Sequence, residues 1–284
     1  MTIAIIGATG KLGGHTIDAL LERGVEAADI LALGRDSGRL EELAARGLRT
    51  ATIDLVDEAA TATTLSGVDK LLLISVGTPG EALVPRTVAI NAAAAAGVPH
   101  IVYTSALGAP TTTFVLAAEH KATEEVVTAS GIPATFLRNG WYNENLQQDF
   151  EAARERGVIA NSVGDGRLST ASRRDLAEAA AVVLTTPGHE GAGYELSGDT
   201  AWNYAEFAAA AQQLLGTPVR YEALTPEQER DMLLAAGLDE GTVGFIGVMN
   251  AGMREGTQAA TSGDLSRLIG RPTTPLIETL KTWR

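Results

Sequence analysis

Three glycines set two residues apart, in Gly7-Ala8-Thr9-Gly10-Lys11-Leu12-Gly13, follow the apolar run Ile3-Ala4-Ile5-Ile6. A buried strand, a tight glycine turn and a helix place backbone N–H groups where they can hold an anion. Gly7 makes the turn, Gly10 lets the backbone approach phosphate oxygens, and Gly13 lets the helix pack against the sheet. The chemistry indicated is dinucleotide binding, with Thr9, Lys11 and Leu12 as further contacts in the same turn. The spacing G-x-x-G-x-x-G departs from the standard G-x-G-x-x-G, so a strand–helix turn with no ligand stands as the bland alternative. Lys11 serves equally well as a phosphate contact or a solvated lysine.

Arg35 lies just past a second apolar run, at residues 30–33, where a dinucleotide fold reads the adenosine ribose. An arginine there pairs with the 2′-phosphate of NADP, whereas an acid accepts from the 2′-OH of NAD. Asp36 beside it keeps NAD open. Asp54 ends a third strand near the expected place of the adenine, as a contact or a plain turn aspartate. The small residues Ser75, Val76, Gly77, Thr78 and Pro79 suit a loop laid along the cofactor, and Thr104-Ser105 falls at the level of the nicotinamide.

The usual partner of such a serine or threonine is a Tyr-x-x-x-Lys pair whose phenol protonates the carbonyl being reduced. Lys121 is present, but Ala117 stands four residues before it. With no phenol there, an acceptor needing little acid help is favoured, and Lys121 is left to orient the nicotinamide ribose or to stand as an exposed helix lysine. Arg138-Asn139-Gly140-Trp141-Tyr142-Asn143 gathers hydrogen-bonding and aromatic groups at the end of a strand. Asn139, Trp141, Tyr142 and Asn143 are read as cofactor contacts that also wall a flat pocket, and Arg173, at a helix start, as a further one. His15, His100, His120 and His189 show no metal-ligand spacing, and only His120 falls near the pocket. No nucleophile elbow and no pair of catalytic carboxylates stands out.

The elements that must carry these residues alternate. Strands are expected at 3–6, 30–33, 48–53, 70–76, 100–103 and 134–137, and helices at 39–46, 58–65, 85–96 and 115–129, with another following the glycine turn. That rhythm gives an α/β fold, a doubly wound Rossmann-type parallel sheet with right-handed crossovers, followed by a smaller C-terminal α/β cap region. Residues 1–138 form the NADP-binding domain, and segments within 158–198 return to its sheet. Residues 139–284 are mainly a substrate-binding cap over the C-terminal edge of the sheet. The expected helices there are 143–156, 172–184, 203–215 and 225–236, the last with Thr225, Pro226 and Gln228 as its starting signal.

The composition fits this reading. A chain of 284 residues with 45% hydrophobic and 20% charged residues buries a full core. It has no cysteine, so thiolate catalysis and Cys-ligated metal are excluded. A formal net charge of -13 disfavours nucleic acid and anionic membranes as partners, so an anionic cofactor must be held by local amides and placed arginines. No signal peptide or long apolar span is apparent, and the cytoplasm is the expected location.

The glycine run, Leu71-Leu72-Leu73-Ile74-Ser75, Tyr103-Thr104-Ser105 and Leu137-Arg138-Asn139-Gly140-Trp141-Tyr142 together resemble the NmrA-like branch of atypical short-chain dehydrogenases/reductases. Gly188-His189-Glu190-Gly191, Tyr194-Glu195-Leu196 and Leu268-Ile269-Gly270 extend the resemblance to essentially the whole chain. Within the branch it is most similar to bacterial NADPH-dependent quinone oxidoreductases of type 2, with triphenylmethane reductases as near neighbours. The resemblance implies hydride transfer from NADPH to a quinone, with no flavin, no metal and no tyrosine relay. It puts Arg35 at the 2′-phosphate, and puts residues 75–78 and 139–143 on cofactor-lining loops. The proton comes from solvent or Tyr142. Reduction of triarylmethane dyes or other conjugated acceptors is one alternative, and a non-enzymatic NADP-binding redox sensor is another. Assembly is left open, with a homodimer as one expectation.

Overall fold

The structure, a computed structural model, describes residues 1–78 and 80–284. Pro79, expected in the loop along the cofactor, lies outside the described residues. The chain divides into two compact units. The first comprises Met1–Pro110, Leu116–Asn139 and Arg173–Glu195, and the second Thr111–Val115, Gly140–Ser172 and Leu196–Arg284.

The first unit is built on strands β1 (Ile3–Ile6), β2 (Ile30–Gly34), β3 (Arg49–Thr52), β4 (Lys70–Leu73), β5 (Ile101–Ala106), β6 (Ala134–Asn139) and β8 (Gly193–Leu196). They form a seven-stranded sheet in the order β3-β2-β1-β4-β5-β6-β8. The β1–β2, β1–β4, β2–β3, β4–β5 and β5–β6 pairs are all parallel. The order reverses at β1, so its C-terminal end, where the glycine turn begins, is the switch point at which open α/β sheets bind ligands.

All four β1 residues and Leu71–Leu73 of β4 are buried, because helices cover both faces, as a parallel sheet requires. Helices α1 (Lys11–Glu22) and α7 (Arg173–Thr185) pack together. So do α3 (Glu58–Thr64), α4 (Leu83–Ala95) and α5 (Ala117–Ala129) in sequence. One core cluster joins Ile6, Leu33, Leu73 and Tyr103 of the sheet to Ile90 of α4 and Val127 of α5. Helix α2 (Ser37–Ala45) follows β2.

The second unit has a parallel pair, β7 (Val158–Asn161) with β9 (Arg220–Ala223). Its helices are α6 (Gln147–Arg156), α8 (Tyr204–Leu215), α9 (Pro226–Ala235), α10 (Glu240–Arg254), α11 (Asp264–Ile269) and α12 (Leu276–Lys281). Capping boxes Asn203/Glu206 and Thr225/Gln228 start α8 and α9, each satisfying two N–H groups that a helix start leaves open.

Three expectations change. Of the segments expected to return to the sheet, Gly193–Leu196 does, whereas Val158–Asn161 pairs with β9 instead. The helix expected over 143–156 is a 3₁₀ turn, Asn143–Leu146, followed by α6. The strand expected over 70–76 stops at Leu73, which frees Ile74 onward as loop. Among the described residues, no helix is long and apolar enough to cross a membrane, and no group of three or more His, Asp or Glu is placed to hold a metal.

Candidate active site

The glycine turn closes as its spacing requires. Gly7 has φ +91°, a conformation that glycine adopts without strain. The N–H groups of Gly7 and Ala8 both donate to Leu33 O, at 3.0 and 3.1 Å, and Gly10 N donates to Gly7 O at 3.0 Å. A Cβ on Gly13 would run into Gly7 O and stand 2.7 Å from Ala8 Cα. A Cβ on Gly34 would stand 2.6 Å from Thr9 Oγ1, so the turn rests directly on the end of β2. Gly10 caps α1 without a side-chain hydrogen bond, leaving the N–H groups of the first helical turn without intrahelical acceptors. Leu12 is buried and Lys11 exposed.

At the end of β2, Asp36 caps α2, its Oδ1 accepting from Arg39 N at 3.1 Å. Arg35 is exposed, with no carboxylate in ion-pair range among the described residues. Arg39 Nη1 donates to Thr9 O at 3.1 Å, which brings to the turn a second cation that the sequence reading missed. The one available signal was its place a single helical turn beyond Arg35.

The loop after β4 borders the same turn, since a Cβ on Gly7 would meet Ile74 Cβ at 3.0 Å and Val76 Cγ1 at 3.5 Å. Ser75 N donates to Thr104 Oγ1 at 2.8 Å. The neighbouring Ser105 is engaged elsewhere. Its Oγ donates to Glu124 Oε1 at 2.6 Å, and Glu124 takes both Nε and Nη2 of Arg138, at 2.9 and 2.8 Å. Arg138 Nη1 also donates to Glu195 Oε1 at 3.0 Å. These bonds to Glu124 hold the Arg138 guanidinium more firmly protonated than usual and commit it to the sheet end. Glu124 and Glu195 are hard to see in sequence, because partly buried carboxylates on a helix and a strand read as solvent-facing.

Asn139 ends β6, and its Oδ1 is buried with no hydrogen-bond partner among the described residues. A buried acceptor left open is costly, and the amide of a carboxamide is a donor of the right kind. On α5, Lys121 is exposed, while His120 Nδ1 pairs with Tyr103 OH at 3.0 Å. Burial, with help from Arg86, pushes His120 down to about 4, and burial pushes Tyr103 up to about 12. At neutral pH neither is charged, so Tyr103 donates and His120 accepts. Asp54 is exposed. Arg173 is the first residue of α7 and is half-buried.

Trp141, Tyr142 and Asn143 belong to the second unit. Gly140 N donates to Leu196 O at 2.8 Å, Ala171 N to Trp141 O at 3.0 Å, and Asn143 N to Ala171 O at 2.9 Å, so the segment is held like a short strand. Trp141 meets Phe114 edge-to-face with ring centroids 6.3 Å apart. Asn143 is fully buried, and its amide donates to Thr279 Oγ1 at 2.8 Å.

Within the first unit the structure brings together Gly7, Thr9, Gly10, Ser75, Val76 and Thr104. The open amides, the uncommitted Arg35 and the open acceptor on Asn139 fit a phosphorylated nicotinamide dinucleotide.

The model of the NmrA-like family matches residues 1–260. Quinone oxidoreductase 2 of Escherichia coli is 42% identical over 278 residues, 98% of this chain and 97% of that protein. The crystal structure of an Escherichia coli NADPH-dependent quinone oxidoreductase complexed with NADPH superposes with a TM-score of 0.95, covering 99% of both chains at 42% identity. The triphenylmethane reductase of a Citrobacter species, complexed with NADP(H), gives 0.94 at 33% identity over 100% of both.

Proposed function

The chain belongs to the NmrA-like family, and from that membership we propose that it is an NADPH-dependent quinone oxidoreductase working without flavin or metal. The observation that carries the reading is full-length identity of 42% to a quinone oxidoreductase, together with a ribose position where Asp36 is spent as a helix cap and Arg35 is not. NADPH supplies the hydride, which with one proton turns a quinone into its hydroquinone.

The remaining work belongs to the chain's own residues. Thr9, Lys11 and Leu12 offer the phosphates backbone amides at a helix start, where the macrodipole favours negative charge, and Gly7 and Gly10, whose own N–H groups close the turn, let the phosphates approach its backbone. Arg35 pairs with the 2′-phosphate. Ser75, Val76, Gly77 and Thr78 line the cofactor, Thr104 fixes that loop, and Asn139 accepts from the carboxamide. Lys121 and Arg173 are assigned to the ribose and the pocket edge. Trp141, Tyr142 and Asn143 are assigned to the nicotinamide and a flat acceptor, which aromatic rings hold by stacking. Holding donor and acceptor in the reacting orientation lowers the barrier of such a transfer. The proton comes from Tyr142 or from water, and Tyr142→Phe separates them: an unchanged kcat assigns it to water.

The test is NADPH oxidation with and without added quinone, in protein shown by titration to bind NADPH. Binding without quinone-dependent oxidation sinks the enzyme reading and leaves the redox-sensor alternative. The likeness to triphenylmethane reductase supports a second reading, reduction of cationic dyes. Turnover of quinones against dyes under one set of conditions decides between them. We also place the protein in the cytoplasm, the compartment expected from the sequence, with a homodimer as the assembly to test.

A further inference from the structure

We propose that Arg86 is a positioning residue for the cofactor loop: it holds Val76 from behind and so sets the surface that residues 75–78 present to the nicotinamide half of the dinucleotide. The inference rests on the reading of this site as one for NADPH.

Arg86 lies in the first turn of α4 and is only 5% exposed. A buried guanidinium normally has a carboxylate beside it, because removing an uncompensated charge from water is expensive. Arg86 has none in ion-pair range among the described residues. Its partners are neutral: Nε donates to Val76 O at 3.0 Å, and Nη1 to Thr123 Oγ1 at 3.5 Å. Thr123 spends its own proton on Glu119 O at 2.7 Å, so its oxygen is free to accept. A methionine would fill this space at lower desolvation cost. What the charged fork supplies instead is a strong bond aimed at one carbonyl.

That carbonyl is well placed to matter. Val76 lies against the glycine turn, within 3.5 Å of where a Gly7 Cβ would stand. The loop is held from its other side as well, by the bond from Ser75 N to Thr104 Oγ1. Further along, Glu119 accepts from Gly80 N at 3.0 Å and from Ala82 N at 3.2 Å. Between these anchors Gly77 has φ +108°, and a Cβ there would stand 2.7 Å from Ala82 Cα. The loop is thus shaped by side chains from β5, α4 and α5. An irregular loop fixed beforehand avoids the ordering entropy otherwise lost at each binding event.

The test measures dissociation constants of Arg86→Met and Arg86→Lys for NADPH, NADH and adenosine 2′,5′-bisphosphate, alongside thermal unfolding. Arg86→Met is expected to weaken NADPH and NADH by the same factor, about tenfold for a lost charge-assisted bond. The ratio between the two cofactors stays as in the wild type, and the bisphosphate, which lacks the nicotinamide half, binds unchanged. Arg86→Lys keeps the charge and one bond and recovers part of the loss. Wild-type constants in a folded Arg86→Met protein overturn the proposal. So does an equal weakening of the bisphosphate, which marks general damage, or a changed NADPH to NADH ratio, which makes Arg86 a phosphate reader. If Arg86→Met does not fold, Arg86→Lys and Glu119→Gln carry the test, and wild-type constants in both overturn it. Failure of the wild type to bind NADPH would instead refute the reading of the site.

Discussion

The carboxylate of Asp36 is bound to the backbone N–H of Arg39, at 3.1 Å, and caps α2. This small contact bears on a competition between neighbours. An acid at the end of β2 is the usual reader of an unphosphorylated ribose, but here it serves the helix start. Arg35, exposed beside it, is the residue we propose for the 2′-phosphate.

Arg35→Ala should therefore weaken NADPH by about ten- to a hundredfold, the range for a charge-assisted hydrogen bond. NADH should change by no more than about twofold. Fluorescence titration with both cofactors checks this, and equal losses would refute the 2′-phosphate assignment. Asp36→Asn, which still caps a helix, should leave the preference for NADPH intact.

Gly13→Ala sets two rules against each other. Helix propensity alone favours alanine by about 1 kcal/mol. The added Cβ, however, would meet the turn's own backbone, 2.7 Å from Ala8 Cα. Backbone cannot rotate away as a side chain can, so the clash should win. Thermal unfolding of the variant should show a lower melting temperature and titration a weaker NADPH affinity; a rise in melting temperature would contradict the packing.

Thr104 and Ser105 are adjacent but should behave differently. Thr104→Val removes the acceptor for Ser75 N and should raise the NADPH dissociation constant by about five- to tenfold through the loop. Ser105→Ala removes a donor to Glu124, which keeps its bidentate arginine. It should lower stability by about 1 kcal/mol and leave the dissociation constant unchanged. Parallel titration and urea unfolding separate the two effects.

The histidines make the fold sensitive to acid. His120 is held at about 4 by burial and by Arg86, against about 6.5 in an unfolded chain. The folded state then binds fewer protons between these values, so this contribution is intact above about 6.5 and is lost as pH falls toward 4. His100 adds to it: its pKa is lowered by burial and by Lys70, and its Nδ1 is buried without a hydrogen-bond partner among the described residues. Melting temperature against pH should fall less steeply over this window in His120→Gln than in the wild type. An identical slope would show that His120 does not titrate there.

Asp149 works with the opposite sign. Burial raises its carboxyl to about 6, so ionising it above that value costs stability, and the cost is relieved as pH falls. Asp149→Asn, neutral at every pH, should raise the melting temperature at pH 7 and lose that advantage in acid. Scanning calorimetry at both pH values checks it.

Much of the first unit is legible in its sequence because its strands are apolar runs closed by glycine. Ile3–Ile6 and Lys70–Leu73 could hardly be anything but buried parallel strands. Thr225 and Gln228 announced a helix start that the structure reproduces as a full capping box. Elsewhere the local signal is weak. The strand Arg220–Ala223 is exposed except for the half-buried Tyr221, and its place comes from pairing with β7, which no short-range pattern encodes. The helix Glu240–Arg254 contains Gly241, Gly244, Gly247 and Gly252, which depress helix propensity. Gly252 lies where a Cβ would come within 2.9 Å of Phe114 Cδ2. At the site, Gly7, Arg35 and Asn139 stood out by type and position. Arg86 and Glu119 did not, because a charged residue on a helix reads as solvated until the loop it holds is seen.

The interleaving of the two units has a consequence for the chain as it is made. Strand β8, which edges the sheet beyond β6, leaves the ribosome only after Gly140–Ser172, a stretch of the other unit, has emerged. Until then β6 presents an unpaired edge, the kind that invites association with other chains. Arg138 also lacks one of its two carboxylates, Glu195. The first unit therefore completes its sheet only once Gly193–Leu196 has emerged, and a nascent chain stalled before Gly193 should be a poor binder of NADPH.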